Sequence, residues 1–553
     1  MTTANVAATA TESRKLRKIV FATSAGTIFE AYDFILFGSL APLIASQFFA
    51  GVNETTGFIF ALLTFAAGFA VRPLGALVFG RMGDKEGRKK AFLITITLMG
   101  LATFAIGLLP TYASVGIWAP ILLITLRLIQ GLAFGGEYGG AVVYTAEHAP
   151  AHQRGLYVGW IQAAAGFALF MSFLVIYLTR TIVGEENFAA WGWRIPFLIS
   201  IALLAISLWI RMSLEESPMF KKMQEEGKVS KRPLKEAFGE WANVKLVLIV
   251  LFGLMSLQGV LFYTAHFYSQ FFLSQILKMP SASITFIMMV VTCCSVPLYV
   301  LFSWLSDKVG RKRIIMTGAI MSALTMVPLF YALTSAVNPA LVVAQENTTI
   351  VVIADPAQCS LQFDPVGQAN FISSCDIAKS TLARLGLGYS NEQAAAGTLT
   401  TVQIGEAMIE SIEGGELTVA ELATGQLDFE NRIIAGLNAV AYPLAPDPDE
   451  INTPLITGLI LLLVIFAVMV YAPMPTMALE VFPTRIRYSA LSLPYHIGSG
   501  WFGGFLPAIA FAMVAANGNI YFGLWYPMVV TVIGILVLAF LLPETRDRDI
   551  QGL

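Results

Sequence analysis

Long apolar runs decide what this chain can fold into. Stretches of mostly nonpolar residues recur near 20–49, 56–80, 91–110, 117–146, 155–178, 194–213, 245–275, 283–305, 314–336, 454–479, 487–515 and 521–542. About 20 such residues wound as a helix cross the hydrocarbon of a bilayer, and a helix satisfies its own backbone polar groups where no water can. Of 553 residues only 13% are charged and the mean hydropathy is +0.71, against roughly a quarter charged in a soluble domain. The pattern predicts an all-α membrane protein with twelve transmembrane helices. The run that follows Arg14, Lys15, Arg17 and Lys18, Ile19 to Ala50, is too long for the core of a signal peptide and reads as an uncleaved first span.

Charge sets the orientation. With the N-terminus inside, the basic clusters at 81–90, 211–245, 308–313, 485–487 and 546–548 fall on one side, and the opposite loops are nearly bare of Lys and Arg. Positive residues are retained on the cytoplasmic side, so both termini are expected to be cytoplasmic and the chain to lie in the cell inner membrane.

An internal repeat divides the chain. Gly80 to Lys90, containing Asp84, Gly87 and Arg88, matches Ser303 to Arg313, containing Asp307, Gly310 and Arg311. Glu147, Pro150 and Arg154 recur as Glu480, Pro483 and Arg487, and Glu215 to Pro218 has its counterpart in Pro543 to Arg546. Ordered matches of this kind imply two related six-helix bundles with a solute site between them near the bilayer midplane. The expected layout is a cytoplasmic tail 1–18, a first bundle 19–215, a linker 216–244, helices seven to nine in 245–336, helices ten to twelve in 454–543 and a tail 544–553.

The same repeat measures an insertion. Asp84 to Glu147 spans 63 positions and Asp307 to Glu480 spans 173, an excess of 110. Residues 337–453 hold fifteen acidic and three basic side chains, so the segment reads as a small acidic periplasmic domain with room for a partner. Val351 to Ile353 suggests a strand, and Gly405 to Ile412 and Val419 to Leu437 suggest amphipathic helices. Cys359 and Cys375 fall on the oxidising side and are expected to pair. Cys293 and Cys294, inside an apolar run, read as small packing residues.

The motifs together resemble one family. Phe29-Glu30-Ala31-Tyr32-Asp33-Phe34, Gly68-Phe69-Ala70-Val71-Arg72-Pro73-Leu74-Gly75, both Asp-x-x-Gly-Arg-Lys loops, Arg127 to Gly131, Gly135-Gly136-Glu137 and Glu216-Ser217-Pro218 resemble the metabolite:proton symporters of the major facilitator superfamily. That family includes permeases for citrate, 2-oxoglutarate, shikimate and proline or betaine. The resemblance covers nearly everything but the insertion. It implies alternating access, a proton-coupled solute and no cofactor. The osmosensing proline and betaine type carries a long coiled-coil C-terminal extension, whereas this chain stops about ten residues after its last span, which counts against that subtype.

Charged groups at bilayer depth are expensive and so read as functional. Glu30 and Asp33 share a helix face, and Asp33 is the expected proton site, against the alternative of a fixed ion-pair partner. The resemblance implies that Arg127 pairs with Asp33 and rearranges when Asp33 is protonated. Glu137 is assigned a structural or coupling role. Arg72 is expected to grip a substrate carboxylate bidentately, with a charge pair to Glu30 or Asp33 as its alternative. Tyr32, Gln162, Gln258, Tyr263 and His266 are the expected substrate contacts, with Tyr268, Tyr495 and His496 as further polar groups. A cytoplasmic gate is expected from Asp84, Arg88, Glu147, Arg154, Asp307, Arg311, Glu480 and Arg487.

The expected protein is a monomeric uptake symporter for a small carboxylate-bearing metabolite, its partners being the solute, protons and the bilayer. Alternatives are a proton-independent facilitator or exporter, a carrier of zwitterionic osmolytes, and a receptor derived from a transporter that uses the insertion. Nothing points to nucleic acid, and an enzyme is disfavoured. There is no Gly-x-x-x-x-Gly-Lys loop or metal-ligand spacing, and the four histidines, at 148, 152, 266 and 496, are scattered.

Overall fold

The computed structural model describes residues 36–52, 54–86, 88–135, 149–212, 239–360, 372–482 and 487–548, with isolated positions between 20 and 32 and between 142 and 146. Among the described residues, eight helices are long and apolar enough to cross a membrane: Gly57–Phe79, Arg154–Val183, Trp241–Ile276, Ser281–Val309, Arg311–Val337, Thr453–Val481, Ala490–Asn517 and Phe522–Leu541. A ninth is counted if Glu185–Gly192 and Arg194–Trp209, bent by 62°, form one span, and Leu93–Leu108 and Trp118–Phe134 are shorter apolar helices.

The helices pack as two bundles that meet along two seams. One seam pairs Arg154–Val183 with Ser281–Val309, and the other pairs Glu54–Ala70 with the 496–503 region. These seams are related by the repeat. Gly57–Phe79 and Ser281–Val309 each lead into an Asp-x-x-Gly-Arg-Lys loop, and Arg154–Val183 and Ala490–Asn517 each follow a Glu-x-x-Pro-x-x-x-Arg segment. Exchanging the halves therefore turns one seam into the other, as a duplicated architecture requires.

Helix contact depends on small residues because lipid supplies no hydrophobic drive between apolar helices. A Cβ on Gly131 would collide with the Gly68 carbonyl, and one on Gly135 with the Arg72 carbonyl. Trp118–Phe134 is thereby pressed against the Glu54–Ala70 and Arg72–Glu86 helices. Widened π-type turns at Leu251–Met255, Thr264–Tyr268 and Phe272–Ile276 rotate successive faces of Trp241–Ile276 toward its neighbours, and π-turns often accompany functional positions.

Between Val337 and Thr453 the chain forms a separate fold. Strands β1 (Ile350–Ala354), β2 (Ser390–Gln393), β3 (Thr401–Ile404) and β4 (Ala407–Glu410) make one sheet in the order β2-β1-β3-β4. β1 runs parallel to β2 and antiparallel to β3, and β3 pairs with β4 through the turn at Gly405. The helix expected over 405–412 is therefore a strand. Gly405 sits at φ 58°, a value suited to a tight strand turn and not to the start of a helix. The second expected helix is present as Val419–Ala439, opened by Thr418 and Glu421 in a reciprocal capping box. It lays Phe429, Ile433 and Leu437 in the buried core beside Val402, Ile404 and Ile409. Cys359 and Cys375 are joined, with Cα atoms 5.1 Å apart, at the start of the helix Ser374–Arg384. The insertion leaves and returns at one point, since Asn452 N–H donates to the Ala336 carbonyl at 3.0 Å.

Candidate functional site

The centre of the seam between bundles is lined by rings and guanidinium groups. Arg72 is buried, its guanidinium carbon 4.0 Å from the Phe69 ring and 3.9 Å from the Phe134 ring. Such a sandwich stabilises a cation away from water. The phenols of Tyr263, Tyr471 and Tyr495, all from the C-terminal half, lie within electrostatic range of it.

Arg127 is fully buried one helix away. Its Nη1 donates to Gln130 Oε1 at 2.7 Å and its Nη2 to the Phe65 carbonyl at 3.4 Å, and the Phe37 ring lies 4.3 Å from the guanidinium carbon. Gln130 is held in turn by donating to Thr103. The two guanidinium groups, Arg72 and Arg127, lie within electrostatic range of one another. Glu30, Asp33, Glu137 and Glu147 lie outside the described residues, as do the side chains of Asp84, Arg88 and Arg487.

Facing Arg72 is an aromatic cluster. Tyr263 packs on Phe65, Phe69 and Phe267, and Phe262 stacks on His266 with ring centres 4.4 Å apart. Phe262 also meets Tyr471, whose ring stands edge-on to Tyr299. Gln162, from the N-terminal half, donates to the Tyr471 carbonyl at 3.5 Å. The structure thus brings Arg72, Gln162, Tyr263 and His266 into one interface. His266 Nδ1 is taken by the Phe262 carbonyl at 3.0 Å, but among the described residues its Nε2, both polar atoms of Gln258, the Tyr299 hydroxyl and the Thr476 hydroxyl have no hydrogen-bond partner. Buried polar atoms left in that state cost energy.

Two expected contacts point elsewhere. The Tyr32 hydroxyl donates to the Pro196 carbonyl at 3.0 Å, inside the N-terminal bundle. Tyr268 packs on Phe272, Phe330 and Phe511, inside the C-terminal bundle. His496 instead crosses the seam, its Nε2 3.0 Å from the Gly135 carbonyl. Sequence reasoning passed over Tyr299, Tyr471 and Phe134. Aromatic residues in an apolar run carry no charge signal, and only the packing shows which ones meet across the seam.

At one end of the seam the charged residues converge. The Arg311 guanidinium grips Glu480 through two bonds, Nε to Oε2 at 3.2 Å and Nη2 to Oε1 at 3.1 Å, with both side chains sealed from solvent. Its Nη1 donates to Asp307 at 2.6 Å and to Ser306 at 3.0 Å. Asp307 also accepts from the backbone N–H groups of Gly155 at 2.9 Å and Leu156 at 2.8 Å, the open first turn of a helix of the other half. Arg154, of that half, reaches Glu480 at 3.9 Å and donates to the Arg548 carbonyl at 3.1 Å. Gly310, at φ 119°, allows the sharp entry into this loop, and a Cβ there would strike the Glu544 carboxylate that caps Arg311 and Lys312. Asp307, Arg311, Glu480 and Arg154 thus form one charge network that crosses between the halves. At the opposite end, Phe58 stands edge-on to Phe271 at 5.5 Å and to Phe511 at 5.2 Å.

Two repeat-related helical bundles, buried cations at their seam and a charge network joining them define a membrane carrier. The chain belongs to the Major Facilitator Superfamily, whose profile matches residues 23–367, and the profile described as "Sugar (and other) transporter" matches residues 433–553. It is 36% identical over 327 residues to the shikimate transporter of Escherichia coli K12, an alignment taking in 58% of this chain and 73% of that protein. It is 37% identical over 335 residues to the proline/betaine transporter of Salmonella typhimurium LT2, taking in 58% of this chain and 65% of that protein. Among solved structures, the partially occluded, inward-open xylose transporter XylE of E. coli superposes with a TM-score of 0.60 over 97% of this chain and 99% of that one, at 16% identity. These families and relatives are membrane transporters and not enzymes.

Proposed function

We propose that the protein is a twelve-helix, inner-membrane symporter, with both termini cytoplasmic, that takes up a small carboxylate-bearing metabolite with protons by alternating access. The observation that carries this reading is Arg72, buried between the Phe69 and Phe134 rings at the seam, with phenols of the other half in range. A guanidinium held there meets a carboxylate with paired donors and releases it when the halves part. Asp33 and Glu30 supply the proton site, with Arg127 as the cation that senses their charge. The network around Arg311 closes the cytoplasmic end in the state described.

The test is a thermal-shift screen of purified protein against shikimate, dicarboxylates, proline, betaine and neutral sugars. Stabilisation by a carboxylate that Arg72→Ala abolishes supports the site, and stabilisation by neutral sugars alone overturns it. Uptake into proteoliposomes that follows an imposed pH gradient, and that Asp33→Asn uncouples, separates symport from facilitation.

The rings beside Arg72 favour a second reading within the same site. Phe65, Phe69, Tyr263 and Phe267 cluster beside Arg72, and rings next to a carboxylate-binding group suit a zwitterion with a quaternary ammonium. Betaine outranking dicarboxylates in the same screen would select it.

A further inference from the structure

The insertion is fastened to one half and rests on the other. On the C-terminal half it ties down the end of the helix Leu506–Asn517, whose last carbonyls lack partners within their own helix. Lys379 Nζ donates to the Ala516 carbonyl at 3.1 Å, the Tyr389 hydroxyl to Ala515 at 2.5 Å, and Asn391 Nδ2 to Asn517 at 2.6 Å. The Tyr389 backbone N–H donates to Gly518, and Lys278 donates to the Arg384 carbonyl at the far end of the helix Ser374–Arg384. That same helix lies along Glu54–Ala70 of the N-terminal half. It therefore spans the seam at the end where Phe58 closes on Phe271 and Phe511.

We propose that the insertion is a latch on this mouth: a cap carried by the C-terminal half whose helix Ser374–Arg384 holds the N-terminal half shut. Opening the mouth requires Glu54–Ala70 to withdraw from Phe271 and Phe511, and so from Ser374–Arg384 as well. A contact made only in the closed state lowers the open population by its own free energy. The Cys359–Cys375 bridge ties the first turn of the latch helix to the body of the cap, and the bonds to Ala515, Ala516 and Asn517 anchor its other side. The latch lets the cap set how often the carrier opens without touching the solute. It rests on the reading of the bundles as halves that part.

The experiment uses a reporter that needs no substrate. In protein carrying Cys293→Ser and Cys294→Ser, Phe58→Cys is labelled with a maleimide, in the intact chain and in a variant with residues 338–451 replaced by a short Gly-Ser loop. The excision is feasible because Ala336 and Asn452 are already hydrogen-bonded neighbours. Labelling is expected to rise about tenfold on excision. A second variant, Lys379→Ala, Tyr389→Phe and Asn391→Ala together, keeps the cap but removes the three side-chain bonds of its anchor. A rise there of about threefold or more separates latching from simple shielding. Unchanged labelling in both folded variants overturns the latch. A rise in labelling with no pH-gradient-driven uptake of shikimate, dicarboxylates, proline or betaine upholds the latch and overturns the proposed symport, so the two failures are distinguishable.

Discussion

Asp307 of the C-terminal half caps Gly155 of the N-terminal half: its carboxylate accepts the Gly155 N–H at 2.9 Å, with the Leu156 N–H beside it at 2.8 Å. A negative charge at a helix N-terminus is favoured both by the unsatisfied N–H groups and by the dipole. The same carboxylate takes Arg311, so one side chain joins the two halves and the local charge network.

Asp307→Ala should therefore loosen this end of the seam. Losing two charge-assisted bonds costs about 2–3 kcal/mol, which raises amide exchange at the first turn of Arg154–Val183 by a factor on the order of ten or more. Hydrogen–deuterium exchange by mass spectrometry reads it directly. Gly155→Ala should act in the same direction, because a Cβ there would lie 2.8 Å from both Asp307 Oδ1 and Arg311 Nη1.

Arg311 and Glu480 form a pair with no solvent contact. Glu480→Gln removes one of the two carboxylates that Arg311 holds and leaves Asp307 as the other, a loss of up to about 3 kcal/mol. Arg311→Met with Glu480→Leu removes both charges but takes a partner from Asp307 and from Arg154, so it should recover only part of it. Thermal unfolding of the two singles and the double measures the coupling, and additive losses would show that the pair does not act as a unit.

Arg72→Lys keeps the charge but gives up the planar fork and the stacking on Phe69 and Phe134. Carboxylate affinity is expected to fall by about tenfold or more, with the apo protein destabilised by about 1 kcal/mol. Titration of whichever solute stabilises the parent protein checks this, and an unchanged affinity removes Arg72 from the site.

Reducing the Cys359–Cys375 bridge frees the start of Ser374–Arg384. A closed loop of this size contributes about 3 kcal/mol, so limited proteolysis within 338–452 should accelerate under reductant, or in Cys375→Ser, while the transmembrane fragments stay resistant.

The insertion should respond to acid through Asp355. Its carboxylate accepts the Gly397 N–H at 2.9 Å and the Ala357 N–H at 3.0 Å, and these bonds hold its pKa below the ordinary value. A depressed folded value means that this stabilisation is present above the unfolded pKa and is lost as pH falls through the folded one. Burial acts oppositely on Asp376 and raises its pKa, so its protonation accompanies a folded cap. Local opening around β1 should therefore increase below about pH 4. Asp355→Asn should open more readily at neutral pH and show a weaker acid response, measured by exchange of the Gly397 and Ala357 amides.

Much of this protein was legible in its sequence because lipid imposes period, length and charge placement directly on the chain. Apolar runs coincide with the eight membrane-length helices among the described residues, and matched Asp-x-x-Gly-Arg-Lys loops pointed to two related halves. Arg72 and Arg127 stood out because each is a charge where a charge is costly, and Arg311 and Glu480 because each belongs to a motif that recurs in the other half. Which segments meet is settled by packing in three dimensions. Whether Gly405–Ile412 is helix or strand depends on pairing with β3, which local pattern does not contain. Which rings face Arg72, that Tyr32 turns to Pro196, and that Ser374–Arg384 spans the seam are facts of packing between segments far apart in sequence. Burial by lipid is written into each residue's polarity, whereas burial by a neighbouring helix is a property of the pair.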